Sequence, residues 1–134
     1  MPHPKQLDWA ANRLTLAAAW GLPAGTMLLA MLLPPTPRAA VWIAMLWWMG
    51  VACLANARRC GRTHCRYTGP FFLGMAAMVF AYATGILQLG SHPWLVLGLI
   101  AAVGNAIIWW WSERALGTYF QRSERMVTRP RASA

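Results

Sequence analysis

Apolar residues run through this chain in four long blocks separated by three short polar interruptions. From Leu14 to Leu33 there are twenty residues without a charge. At 1.5 Å of rise per residue a helix of that length covers about 30 Å, one hydrocarbon thickness of a bilayer. Comparable blocks follow at about 39–57, 70–89 and 94–111, with a polar tail over 112–134. The pattern predicts an all-α, polytopic membrane protein: four transmembrane helices forming a single membrane domain over 1–134. Pro34-Pro35-Thr36-Pro37-Arg38 stops the first helix, and so short a turn makes the first two helices antiparallel neighbours. Pro23 falls inside the first span, where a kink is tolerated among other helices, and Gly21 and Gly25 form a small-xxx-small face for helix packing. Pro70 is placed at the opening turn of the third helix, where its missing N–H is harmless. Gly90-Ser91-His92-Pro93 makes a tight turn into the fourth, which closes on Trp109-Trp110-Trp111 as an interfacial aromatic belt. The first part of the tail, to about Arg125, reads as a short amphipathic helix on the headgroups.

Composition sharpens this picture. Hydrophobic residues make up 58% and charged residues 11%, too few charges for a soluble domain, where about 25% is usual. The net charge of +9 does not point to nucleic acid, because the basic residues sit at the ends of apolar blocks. Lys5 and Arg13, then Arg58, Arg59, Arg62 and Arg66, then Arg114, Arg122, Arg125, Arg129 and Arg131 all fall on one side of a four-span arrangement. Arg38 alone falls on the other. Basic residues in short loops stay in the cytoplasm, so both termini and the central loop are expected inside a bacterial-type inner (plasma) membrane. The first apolar block is too long for a signal-peptide core. No carboxylate or Lys lies within a span, which argues against a proton-coupled pump, and no phosphate-binding Gly loop or Ser/His/Asp set suggests hydrolysis. The chain is not expected to be an enzyme.

Candidate chemistry gathers in the central stretch Arg58-Arg59-Cys60-Gly61-Arg62-Thr63-His64-Cys65-Arg66-Tyr67-Thr68-Gly69-Pro70. On the reducing side of the membrane Cys60 and Cys65 are expected as free thiols. The surrounding arginines favour thiolate, the form that binds soft metals or attacks a disulfide. His64 adds a nitrogen ligand beside Cys65. On the second helix Met45, Met49 and Cys53 recur at four-residue intervals and share a face, a line of soft sulfur ligands descending toward Cys60. Met27 and Met31 on the first helix, and Met75, Met78 and Tyr82 on the third, offer further faces toward the same interior. The competing reading is structural: arginines as topology anchors, Cys and Met as packing.

The string from Cys60 to Pro70 resembles a loop of small bacterial four-helix membrane proteins, with the pattern Cys-Gly-Arg-x-His-Cys-x-x-Thr-Gly-Pro. In general plan the chain is similar to small mercuric-ion importers, which combine a cysteine pair inside a helix with a second pair at the cytoplasmic side. Here the helix offers Cys53 alone, followed by Leu54. By the same logic the residues lead to an expectation of passive transport or hand-over of a thiophilic ion, mercury or copper. Met45, Met49 and Cys53 would relay it and Cys60, His64 and Cys65 would receive it, with no tightly bound cofactor. Two alternatives stand beside this one: an accessory or assembly subunit of a larger membrane complex, or homo-oligomer, and a membrane thiol oxidoreductase using Cys60 and Cys65.

Overall fold

A computed structural model describes residues 8–118, and every element in that range is helical. A short 3-10 turn, Trp9–Ala11, leads into α1 (Arg13–Leu32), followed by α2 (Pro35–Cys60), α3 (Thr63–Ala83) and α4 (Pro93–Leu116). α1, α2 and α4 are each long and apolar enough to cross a membrane. The amphipathic tail helix expected to about Arg125 lies mostly outside the described residues; α4 itself runs unbroken through the tryptophan triplet to Leu116.

α3 departs from the sequence reading at both ends. It starts at Thr63, well before Pro70, and ends at Ala83, short of Leu89. Gly61 is the reason for the early start. It adopts φ 70° and closes α2 through its N–H to the Ala57 carbonyl, and an extended Arg62 then releases the chain straight into α3. The central stretch is therefore a tight helical hairpin, and Pro70 lies inside α3. Because α3 opens on the polar run Thr63–Gly69, its uninterrupted apolar part is Pro70–Ala83, about 21 Å long. That is shorter than a hydrocarbon core.

α2 packs chiefly against α3 and also against α1, while α4 packs against α3; the apolar window of α2 is the most buried of the three candidate spans. Trp42, Leu46, Phe72, Met75, Val79 and Leu97 form the middle of the core. α2 and α3 approach at two glycines. A Cβ on Gly50 would stand 3.1 Å from the Gly69 carbonyl, and one on Gly69 would stand 3.2 Å from the Gly50 carbonyl and 2.7 Å from Leu54 Cγ. Gly21 and Gly25, the pair expected to pack, meet no neighbouring helix among the described residues. Outward faces carry Leu14, Leu28, Leu32, Trp47, Trp48 and Val103 in the open, as a lipid-facing surface requires.

At the end away from the hairpin, Arg38 is bound up with α1. Its guanidinium donates to the carbonyls of Met31 (2.9 Å) and Leu33 (2.7 Å) and lies over the Trp94 ring. It thus satisfies carbonyls that the end of α1 leaves open. A cavity of about 520 Å³ opens nearby, bordered by Thr36, Tyr82, Gln88 and Trp94. Trp42, Leu46 and Val79 are buried in the core.

Candidate dithiol site

The polar end of the bundle brings together the end of α2, the start of α3, the end of α4 and the segment before α1. Its centre is a pair of cysteines. Cys53 on α2 and Cys65 on α3 are both buried in one core cluster. Both lie on the hairpin side of the Gly50–Gly69 approach, where the backbones of α2 and α3 come close.

Each sulfur is held by donors. The Trp20 indole N–H donates to Cys53 Sγ at 3.1 Å and the Thr68 hydroxyl lies 3.5 Å from the same sulfur. The Asn56 side-chain amide donates to Cys65 Sγ at 3.5 Å. Trp20 reaches across because α1 widens there into a π-helical turn, Ala17–Gly21. That turn precedes Pro23, whose ring removes an N–H from the ladder, and the two irregularities share one stretch of helix.

His64 borders the pair on one side. Its Nε2 is 3.4 Å from Cys65 Sγ, its ring stacks on Trp109, and its Nδ1 is 2.8 Å from Glu113 Oε1. A carboxylate only accepts, so Nδ1 carries the proton and Nε2 presents a lone pair toward the thiol. Arg62 Nε is 3.3 Å from both Nδ1 and Glu113 Oε1, and bonds the carboxylate. A histidine whose far N–H is fixed by a carboxylate is the arrangement common to metal-ligating imidazoles.

A second shell ties these groups to the N-terminal segment. Asp8 is buried; it accepts from Asn56 Nδ2 at 2.9 Å and from the Ala10 N–H at 2.9 Å, and it pairs with the Arg62 guanidinium. The Trp9 N–H donates to Asn56 Oδ1 at 2.9 Å, and Arg59 lies over the Trp9 ring. Burial pushes the Asp8 carboxyl up, but the bonds from Asn56, Arg62 and Ala10 and the Arg62 charge outweigh it and hold the group below the ordinary range. A carboxylate depressed in the fold contributes stability that is full above its unfolded value, about 3.9, and is lost as pH falls through the lower folded value. The Asp8 contribution should therefore be flat at neutral pH and disappear only under strong acid. Thermal unfolding followed against pH should show an acid limb that flattens in Asp8→Asn.

The remaining candidates are placed as follows. Cys60 is buried but turns back on its own helix, donating to the Asn56 carbonyl at 3.0 Å. Among the described residues no hydrogen bond or disulfide joins it to Cys65, its expected partner in a redox couple. Met49 is buried in the same core cluster as Cys53 and Cys65, together with Met27 and Met75, while Met45 and Met78 sit at its edge and Met31 is exposed. Among the described residues no three His, Cys, Asp or Glu side chains form a ready cluster for a metal ion. The fold makes a pair of thiols with an imidazole touching one of them. Asp8, Trp20, Arg62, Thr68 and Glu113 were missed as site residues. The available signal was the scarcity of acid: in a chain with only three carboxylates, two fold back onto one arginine.

No protein-family model, no curated protein and no solved structure matches this chain. What the site can do follows from its own chemistry. Two buried thiols with N–H and O–H donors suit a soft ion of low coordination number far better than a hard or octahedral one.

Proposed function

We propose that the chain binds a thiophilic d10 ion, Cu(I), Ag(I) or Hg(II), between Cys53 and Cys65 and hands it on at the polar end of the bundle. The observation that carries this reading is the burial of both cysteines in one core cluster, with Trp20 and Thr68 donating to Cys53 and Asn56 to Cys65. A linearly coordinated ion needs two sulfurs and no third ligand, so a pair suffices where Zn(II) would ask for four donors. An ion held between the two sulfurs would draw them together through small side-chain rotations. His64, fixed by Glu113, stands ready to share the load on Cys65 as an ion arrives or leaves. The buried thioethers of Met27, Met49 and Met75 supply weaker soft ligands deeper in the core, so passage across the bundle would proceed by ligand exchange rather than through an open pore. Orientation follows from charge. Arg58, Arg59, Arg62, Arg66 and Arg114 lie on segments at the dithiol end and Arg38 at the other, so we place the thiols on the cytoplasmic side of a bacterial-type inner membrane, with both termini inside.

Titration of the full-length protein under reducing conditions with Ag(I), Hg(II) and Zn(II) tests this directly. One soft ion should bind per chain, Zn(II) should compete poorly, and Cys60→Ser should bind as the wild type does. Equal affinity for Zn(II), or loss of binding in Cys60→Ser, would remove the two-thiol site.

A further inference from the structure

The dithiol pair is sealed on two sides by different elements. Toward α4 the cover is His64 with Trp109 and Glu113, reinforced by the Thr63 N–H on the Thr118 carbonyl. Toward the N-terminus the cover is the segment Asp8–Ala11, which is not part of any long helix. This second cover is attached through the site itself. Asn56 Nδ2 gives one bond to Asp8 Oδ1 (2.9 Å) and one to Cys65 Sγ (3.5 Å), while its Oδ1 receives the Trp9 N–H (2.9 Å). An amide nitrogen has two protons, and here one holds the segment and the other holds the thiol. Asp8 is 2% exposed and Asn56 is fully buried, although neither lies in an apolar environment that would retain it unpaired. The seal is thus polar, short and local, whereas the rest of the enclosure is packed side chains of long helices. A short segment held by a few polar bonds opens at lower cost than a helix packed through its length.

We propose that Asp8–Ala11 is a strap that closes the aqueous side of the dithiol pair and swings away to let an occupant reach or leave Cys65. Asp8 is its latch, seated between Asn56 and Arg62, and Asn56 is the positioning residue that links the strap to the thiol. Trp9, clamped under Arg59, keeps the strap flat against the end of α2. The identity of the occupant rests on the soft-ion reading, but the strap is tested by thiol access without any metal.

The experiment is labelling of the full-length protein, in a Cys60→Ser background in detergent micelles, with a charged maleimide, the labelled position being read by peptide mass spectrometry. A Val79→Cys reporter, placed where the side chain is fully buried in the apolar part of α3, reports on general loosening. Asp8→Ala should raise the labelling rate of Cys65 about tenfold or more, the factor expected for loss of one charge-assisted hydrogen bond. The Val79→Cys reporter should label no faster than before. An unchanged rate at Cys65 would overturn the strap, and so would an equal rise at both positions, which would mean that Asp8 supports the whole bundle. Soft-ion binding measured on the same samples separates the two claims, since it holds or fails independently of the labelling rates.

Discussion

Replacing Cys65 with Ser is expected to lower soft-ion affinity by more than about 100-fold, because altering only an outer-shell partner of a ligand already costs about 10–100-fold. Serine is nearly isosteric, so the packing around position 65 survives while the soft donor is lost. Its hydroxyl stays protonated at neutral pH and is a hard ligand, poorly matched to Cu(I), Ag(I) or Hg(II). Cys53→Ser should behave the same way, since each sulfur supplies half of a two-coordinate site. Trp20→Phe removes only the indole N–H that reaches Cys53 Sγ at 3.1 Å and should cost about 10–100-fold. Competition titration against a chromophoric soft-metal chelator ranks the variants. A ranking in which Cys60→Ser falls furthest would contradict the assignment.

The second large effect is on packing. Gly69→Ala should destabilise the bundle by about 1–3 kcal/mol, the usual cost of forcing a methyl group into a filled interior. Its Cβ would meet Leu54 Cγ at 2.7 Å and the Gly50 carbonyl at 3.2 Å, and a backbone atom cannot move aside as a side chain can. α2 and α3 must then separate, moving Cys53 and Cys65 apart, so soft-ion affinity falls together with stability. Gly74→Ala on the same helix is the control. Nothing lies within 4 Å of a Cβ there, and alanine is the better helix former, so stability should hold or rise slightly. Denaturation midpoints of the two variants should therefore move in opposite directions or differ by the full effect at Gly69.

The four helices were legible in the sequence because each is a long apolar block ended by Pro, Gly or a charge cluster. The limits of α3 were not. Pro70 carries the local signal of a helix start, and only the hairpin geometry shows that Gly61 has already ended α2 and that Thr63 begins the next helix. The same hairpin geometry bears on the cysteines: read as a loop, Arg58–Pro70 suggests that Cys60 and Cys65 belong together, whereas in the hairpin Cys60 bonds its own helix and Cys65 joins the core cluster that holds Cys53. Periodicity placed Met49 and Cys53 on one face of α2, and both are buried there. It gave no information on which face of α3 would oppose them, because that depends on the Gly50–Gly69 contact between residues far apart in the chain. Gly21 and Gly25 show the converse, a packing pattern that meets no neighbouring helix among the described residues. Asp8 and Glu113 read as ordinary interfacial acids, yet both converge on Arg62, a long-range pairing that no local pattern encodes.

The most direct test of the two-thiol site is X-ray absorption at the metal edge of the full-length protein loaded with one equivalent of Hg(II) or Cu(I), compared with Cys53→Ser and Cys60→Ser. The account predicts a first shell of two sulfur atoms, unchanged in Cys60→Ser and reduced to one in Cys53→Ser. A shell that keeps both sulfurs in Cys53→Ser, or loses one in Cys60→Ser, would contradict it and return the hairpin thiols to the role of packing.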